Sequence, residues 1–272
     1  RLDYYLDDGE VPSVFSEFGR NGFTTCFISA GDSANNMDQL LFDKRFKPDY
    51  RYFSEHLMIT EPNANRVHFG VDSDCIFNKI ISLLKATKTD ERIMIFAATI
   101  DTHPPYGCLP PVNDPALKNE KIRNSPFLLC LTHFDRYFGA FLKYVKENGL
   151  LDDDTLIVIT SDHTSVMGEN YTNRPAYTPD LIPLIFITRD NKLAPYFDSD
   201  KLCSQIDLPA TLLAIQGYQI PATFMGSDIR TKPSVACISN SLRLRIITPE
   251  REEQFSIRRA DNPVSRWYQQ YY

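Results

Sequence analysis

Short apolar runs alternate along this chain with stretches whose apolar positions recur at helical spacing. Phe23 to Ser29, Arg92 to Ile100, Thr155 to Thr160 and Leu184 to Ile187 are rich in aliphatic, aromatic and threonine residues. Runs of this length predict strands buried on both faces. Between them, Val11 to Asn21 predicts a short amphipathic helix with Pro12 in its first turn. Ile76, Ile80, Leu83 and Leu84 mark a second helix over Asp74 to Lys88. Phe134, Tyr137, Phe138, Phe141 and Val145 form the stripe of a long helix from Asn124 to Asn148, stopped by Gly149. Ile206 to Ile215 reads as a further helix with Asp207 as cap, Pro209 in its first turn and Gly217 just beyond its end.

Helices alternating with strands predict an α/β fold, a largely parallel sheet with helices on both faces. Beyond Leu242 the period changes. Leu242, Leu244 and Ile246 alternate with arginines, which predicts a small C-terminal antiparallel hairpin, and the aromatic end from Trp267 to Tyr272 predicts a packed last helix. A single domain over 1–272, with an appendage at 242–272, is the expected organisation.

Composition narrows the function classes. With 43% hydrophobic and 24% charged residues the chain matches an ordinary globular protein, and a net charge of -6 offers no basic field for nucleic acid. No apolar run approaches the roughly 18 residues of a membrane span. The first residues, Arg1 to Asp8, have no signal-peptide character, and with no initiating Met the expectation is a processed or excised piece of something longer. Six cysteines show no metal-knuckle spacing. Cys108 and Cys130 flank a Pro-rich loop, and two readings stand: a disulfide closing that loop in an exported protein, or reduced core thiols.

The candidate chemistry sits where strands end. Leu156 to Thr160 runs into Ser161-Asp162-His163, which puts a hard anionic oxygen and a nitrogen donor side by side where α/β proteins bind ligands. The strand ending near Ile100 leads into Asp101-Thr102-His103, and His103 is the candidate for a further reaction-centre group, as ligand or as donor to a substrate oxygen. An Asp in a turn is also commonly a simple cap, so the dipeptide alone carries little. Arg174 follows the pair by a loop and could clamp an anion bidentately. His133 lies on the striped helix and reads as a hydrogen-bonded packing residue, while His56 and His68 lack partners in the pattern. The run Asp152-Asp153-Asp154 lacks the alternation of a calcium loop and reads as a solvated turn.

Thr160-Ser161-Asp162-His163 after its strand resembles the second metal-binding motif of the alkaline phosphatase superfamily, in its sulfatase-like branch. In the same order as in that branch come Asp101 to Tyr106, Asp135 to Gly139, Pro183 to Ile187, Gln205 to Leu213 and Met225 to Asp228. Within the branch the likeness is to phosphoglycerol transferases of exported glucans and lipoteichoic acid, through Val11 to Phe15, Gly22 to Thr25, Gly31-Asp32 and Phe69 to Asp72. The Cys108 and Cys130 pair also suits the glucan-modifying members.

The resemblance implies an alkaline phosphatase-like three-layer sandwich and a divalent ion (Mn, Zn, Ca or Mg) held by Asp162 and His163. It also implies His103 at the substrate, a phospholipid headgroup donor, a glycan acceptor, and a parent protein anchored at the extracytoplasmic or periplasmic face of a membrane. Family members begin with a strand ending in an acidic metal ligand, followed by a nucleophilic Thr, Ser or modified Cys. Nothing before Val11 matches either, so the expectation is the C-terminal part of a catalytic domain with no nucleophile in this chain. A sulfatase acting on a sulfate ester, and a noncatalytic binding fragment, are the competing readings.

Overall fold

The computed structural model describes residues 12–33, 48–61, 65–67, 70–163, 181–190, 193–197, 200–239 and 243–256. They fall into two compact units, one over Ser13–Thr155 and one from Leu156 onward.

The first unit opens with helix α1 (Val14–Arg20). It starts later than Pro12 suggests, because Ser13 is the better cap. The Ser13 hydroxyl accepts from the Ser16 amide at 3.1 Å while Ser16 Oγ accepts from the Ser13 amide at 2.8 Å, a reciprocal box that occupies two amides lacking helical partners. Strand β1 (Phe23–Ser29) follows, then β2 (Tyr50–Tyr52), helix α2 (Ser54–Thr60), the short strands β3 (Arg66–Val67) and β4 (Gly70–Val71), helix α3 (Ser73–Ala86) and strand β5 (Arg92–Ala98). β1 lies between β2 and β5 and is parallel to both.

Alternation along β1 supplies both faces of this sheet. Cys26 and Ile28 join Leu57 of α2, Val71 of β4 and Cys75 and Ile76 of α3, all at or near zero exposure. Phe27 points the other way, to Phe15 of α1 and to Phe53. A parallel strand covered on both faces by helices is the expected α/β arrangement. Gly70 is required by close approach: a Cβ there would stand 1.9 Å from the Ala30 carbonyl oxygen, the same oxygen that accepts from the Val71 amide at 2.9 Å.

After the short helix α4 (Glu120–Arg123) comes the long helix α5 (Pro126–Glu147), capped by Ser125. Its aromatic stripe packs on α3 as the pattern predicts. Phe77 meets the rings of Phe134, Phe138 and Phe141 at 5.9, 5.8 and 5.0 Å.

In the second unit, strands β6 (Ile157–Thr160) and β7 (Leu184–Ile187) pair antiparallel, Val158 opposite Phe186. The Leu184 run is a strand as expected, and its pairing is antiparallel. An unbroken apolar run reports burial but carries no direction. Helix α6 (Asp207–Ile215) buries Ala210, Thr211 and Leu213. Asp207 is its first helical residue rather than its cap; the carboxylate accepts from the Ser204 and Ser227 amides at 2.8 and 3.0 Å and pairs with Lys232 Nζ at 2.5 Å. At Gly226 a Cβ would lie 1.8 Å from the Ile206 carbonyl oxygen, so this turn also needs glycine.

Strands β8 (Ala236–Ser239), β9 (Arg243–Ile247) and β10 (Glu252–Ser256) form an antiparallel sheet with β9 in the middle. The expected hairpin is thus present, with β8 as an added strand. The aromatic end at 257–272 lies outside the described residues. Among the described residues no helix is long and apolar enough to cross a membrane.

Candidate metal and group-transfer site

β6 ends at Thr160, and the chain turns through Ser161, Asp162 and His163. The turn is held by its own side chains. Ser161 Oγ donates to the His163 carbonyl at 2.6 Å, and the His163 amide donates to Asp162 Oδ1 at 2.9 Å. Gln205, just before α6, fixes it from outside: Nε2 donates to the carbonyls of Ser161 and Asp162 at 2.7 and 2.8 Å. With the backbone clamped, Asp162 Oδ2 and His163 Nε2 sit 3.4 Å apart, and their side chains are 84% and 64% exposed. Two donors bound to one divalent ion at about 2.0–2.2 Å stand roughly 3 Å or slightly more from each other, so the pair fits a shared ion. The two side chains lie side by side on this turn.

His103 belongs to the first unit and is exposed in the loop after β5. Its Nδ1 lies 2.6 Å from the Pro104 carbonyl oxygen. A carbonyl only accepts, so Nδ1 is the protonated nitrogen in this contact and Nε2 is the ring's other polar atom. In the same unit, a groove of about 300 Å³ is lined by Asp32, Ser33, Ser54, Glu55, Met58, Arg66 and Gly70. Glu55 shapes one wall by accepting from the Ser33 amide at 3.3 Å, and hydrogen bonds from Ser33 hold its carboxyl below the usual range despite partial burial. Arg174 lies outside the described residues.

The Cys108 and Cys130 pair is present as buried free thiols rather than as a disulfide. The Cys108 backbone lies against the Cys130 side chain nonetheless. Burial, together with the neighbouring Asp101 carboxylate, pushes the Cys108 thiol pKa up to about 12.

Asp101, Cys108 and His133 form a cluster that the linear pattern hides. Their ligating atoms all lie within 4.8 Å of one another and all three residues are buried. Asp101 accepts from the amide of Ser73 at 3.2 Å and from the Ser73 hydroxyl. His133 Nδ1 lies 3.0 Å from the Leu109 carbonyl oxygen, whereas Nε2 has no hydrogen-bond partner. That nitrogen faces Asp101 Oδ1 at 3.6 Å and Asp72 Oδ2 at 3.8 Å, both too long for hydrogen bonds. Burial alone would depress the His133 pKa, but the two carboxylates and the Leu109 carbonyl outweigh it and raise it. Burial raises that of Asp101.

The family model for Sulfatase matches residues 7–218, which takes in β1, His103, the Asp162–His163 turn and α6. The chain belongs to the Sulfatase family. An endo-4-O-sulfatase of Bacteroides thetaiotaomicron is 31% identical over 116 residues, covering 41% of this chain and 22% of that protein. Among solved structures, an alkaline phosphatase superfamily protein of Vibrio parahaemolyticus superposes with a TM-score of 0.73 at 21% identity, over 94% of this chain and 61% of that one. The lipoteichoic acid synthase LtaP of Listeria monocytogenes gives 0.68 at 16% identity, over 92% and 66%. The C-terminal periplasmic domain of EptC from Escherichia coli gives 0.60 at 17% identity, over 88% and 71%. The fold of this Sulfatase-family chain is therefore that of the alkaline phosphatase superfamily. The chain spans about a fifth of the curated sulfatase and under two thirds of the Vibrio protein.

Proposed function

We propose that the complete protein is a metal-dependent phosphoryl-group transferase. It moves a phosphoglycerol or phosphoethanolamine headgroup from a phospholipid donor to an exported glycan, at the extracytoplasmic face of a membrane, with a nucleophile supplied from outside this chain. The observation that carries the metal dependence is the 3.4 Å approach of Asp162 Oδ2 and His163 Nε2 on an exposed, clamped turn. Phosphotransfer is supported by the likeness in fold to LtaP and EptC.

A divalent ion held there supplies positive charge that lowers a nucleophile's pKa and neutralises a nonbridging oxygen. The chain's own groups have distinct tasks. Gln205 keeps the two ligands aimed through the backbone. His103, with Nδ1 tied to Pro104, presents Nε2, which in the doubly protonated ring would give its proton to the departing oxygen of the donor or to a nonbridging oxygen and leave the neutral Nδ1–H ring. Arg174 pairs with the anionic headgroup. The polar groove beside Asp32, Ser33, Glu55 and Arg66 suits the hydroxyls of a glycan acceptor. The headgroup passes first to the nucleophile, giving a covalent phospho-enzyme and a diacylglycerol, and then to a sugar hydroxyl.

Sulfate ester hydrolysis is the second reading, favoured by the stretch 31% identical to an endo-4-O-sulfatase. Incubating the complete protein separately with phospholipid plus glycan and with a sulfated glycan separates the two. Headgroup-modified glycan supports the proposal; released sulfate without headgroup transfer overturns it. The isolated chain is expected to show negligible turnover with either.

A further inference from the structure

We propose a second metal site, buried in the Ser13–Thr155 unit, in which Asp101, Cys108 and His133 bind one zinc-like ion through a carboxylate oxygen, a thiolate and an imidazole nitrogen. This chemistry is independent of the exposed Asp162–His163 pair, which contains no sulfur.

The argument starts at His133. Its Nδ1 proton is committed to the Leu109 carbonyl, the arrangement by which an outer-shell acceptor orients a ligating imidazole. In the neutral ring Nε2 carries a lone pair, is 7% exposed as a residue, and has two carboxylates in front of it with no hydrogen bond to either. A buried lone pair facing two carboxylates is unfavourable unless a cation lies between them. A proton on Nε2 is one such cation, but at 3.6 and 3.8 Å it would make no good hydrogen bond. An ion larger than a proton fits these separations. In a tetrahedral zinc site with bonds of about 2.0–2.3 Å, ligand atoms stand roughly 3.3–3.8 Å apart. The 3.6 Å between His133 Nε2 and Asp101 Oδ1 falls in that range.

The remaining groups are consistent with this assignment. Ser73 holds Asp101 through its amide and hydroxyl, which orients the carboxylate as outer-shell donors orient a ligand. Asp72 Oδ2, 3.8 Å from His133 Nε2, adds negative charge beside the site. A cavity of about 10 Å³, lined in part by Asp101, Cys108 and His103, adjoins the cluster and is of the order needed for one small occupant. On binding, Cys108 exchanges its S–H bond for a sulfur–metal bond and its proton goes to solvent.

Cobalt(II) titration of the purified, reduced protein tests the site, because a thiolate ligand gives a near-ultraviolet charge-transfer band that oxygen and nitrogen ligands lack. One equivalent is expected to produce the band. It should survive in the Asp162→Ala, His163→Ala double variant and in Cys130→Ser, which also cannot form a disulfide with Cys108. It should vanish in Cys108→Ser, with affinity falling ~100-fold or more in His133→Ala. No band in folded wild-type and Cys130→Ser protein overturns the proposal. So does a band that persists in Cys108→Ser, or recovery of a Cys108–Cys130 disulfide from the protein as isolated.

Discussion

The exposed pair at Asp162–His163 and the buried cluster at Asp101, Cys108 and His133 offer similar ligand atoms under opposite conditions. The first is solvent-facing and depends on a clamped backbone. The second is sealed and depends on packing. Exposed ligands are cheap to keep in the apo protein, because water solvates both the carboxylate and the imidazole, so removing one changes function rather than stability. Buried ligands have no such relief, and each must be matched by a donor, a counter-charge or an ion. Function and stability are therefore expected to separate between the two regions.

The largest expected effect tests that separation on the buried side. Asp101→Ala removes the acceptor of Ser73 and a counter-charge of His133, and is expected to cost about 3 kcal/mol or more in chemical denaturation. On the exposed side, Asp162→Ala is expected to leave stability within about 0.5 kcal/mol, since its side chain is 84% exposed. Its turnover in the complete protein should nonetheless fall on the order of 100-fold or more, beyond what loss of an outer-shell partner does. A similar stability loss in both variants would erase the distinction.

Smaller effects sharpen it. Gly226→Ala places a Cβ 1.8 Å from the Ile206 carbonyl, displaces the segment that leads from Gln205 into α6, and should cost about 1–3 kcal/mol in thermal unfolding. Gln205→Ala deletes only the two bonds to the Ser161 and Asp162 carbonyls. It is expected to weaken metal binding 10–100-fold, about the loss typical of outer-shell partners, with roughly 1 kcal/mol of stability. Equal metal affinity in this variant would show that the turn holds itself.

The smallest expected effect is an absence of reaction. Burial raises Cys26 and Cys75 to about 12, so both stay protonated as thiols through ordinary alkaline conditions. Their folded pKa lies above the unfolded one, so the stability tied to the neutral thiol is full below the unfolded value and is lost progressively from there as pH rises through about 12. Mass spectrometry after alkylation at pH 8 should find both unmodified in the native protein.

The sequence showed one region far better than the other, for physical reasons. Asp162 and His163 are neighbours in the chain at the end of a hydrophobic run, so adjacency, strand and turn can all be read in a line. β1 was equally legible because Phe23 to Ile28 are all apolar or threonine. The buried cluster draws its residues from the end of β5, the loop after it and the middle of α5, and only packing of α5 on α3 brings them together. His133 was read as hydrogen-bonded packing, which holds for its Nδ1; nothing local reveals that Nε2 meets two carboxylates. The direction of β7 and the role of Asp207, which binds Lys232 instead of capping α6, were hidden for the same reason. Gln205 stood inside a recognised stretch, yet its grip on the Asp162 turn bridges more than forty positions.

The most direct test of the central claim is metal analysis of the complete protein beside its Asp162→Ala variant, with turnover measured on the same samples. Loss of one equivalent of divalent ion together with turnover, in a variant that unfolds at the wild-type denaturant midpoint, is the predicted result. Full metal content and full turnover in Asp162→Ala would contradict it.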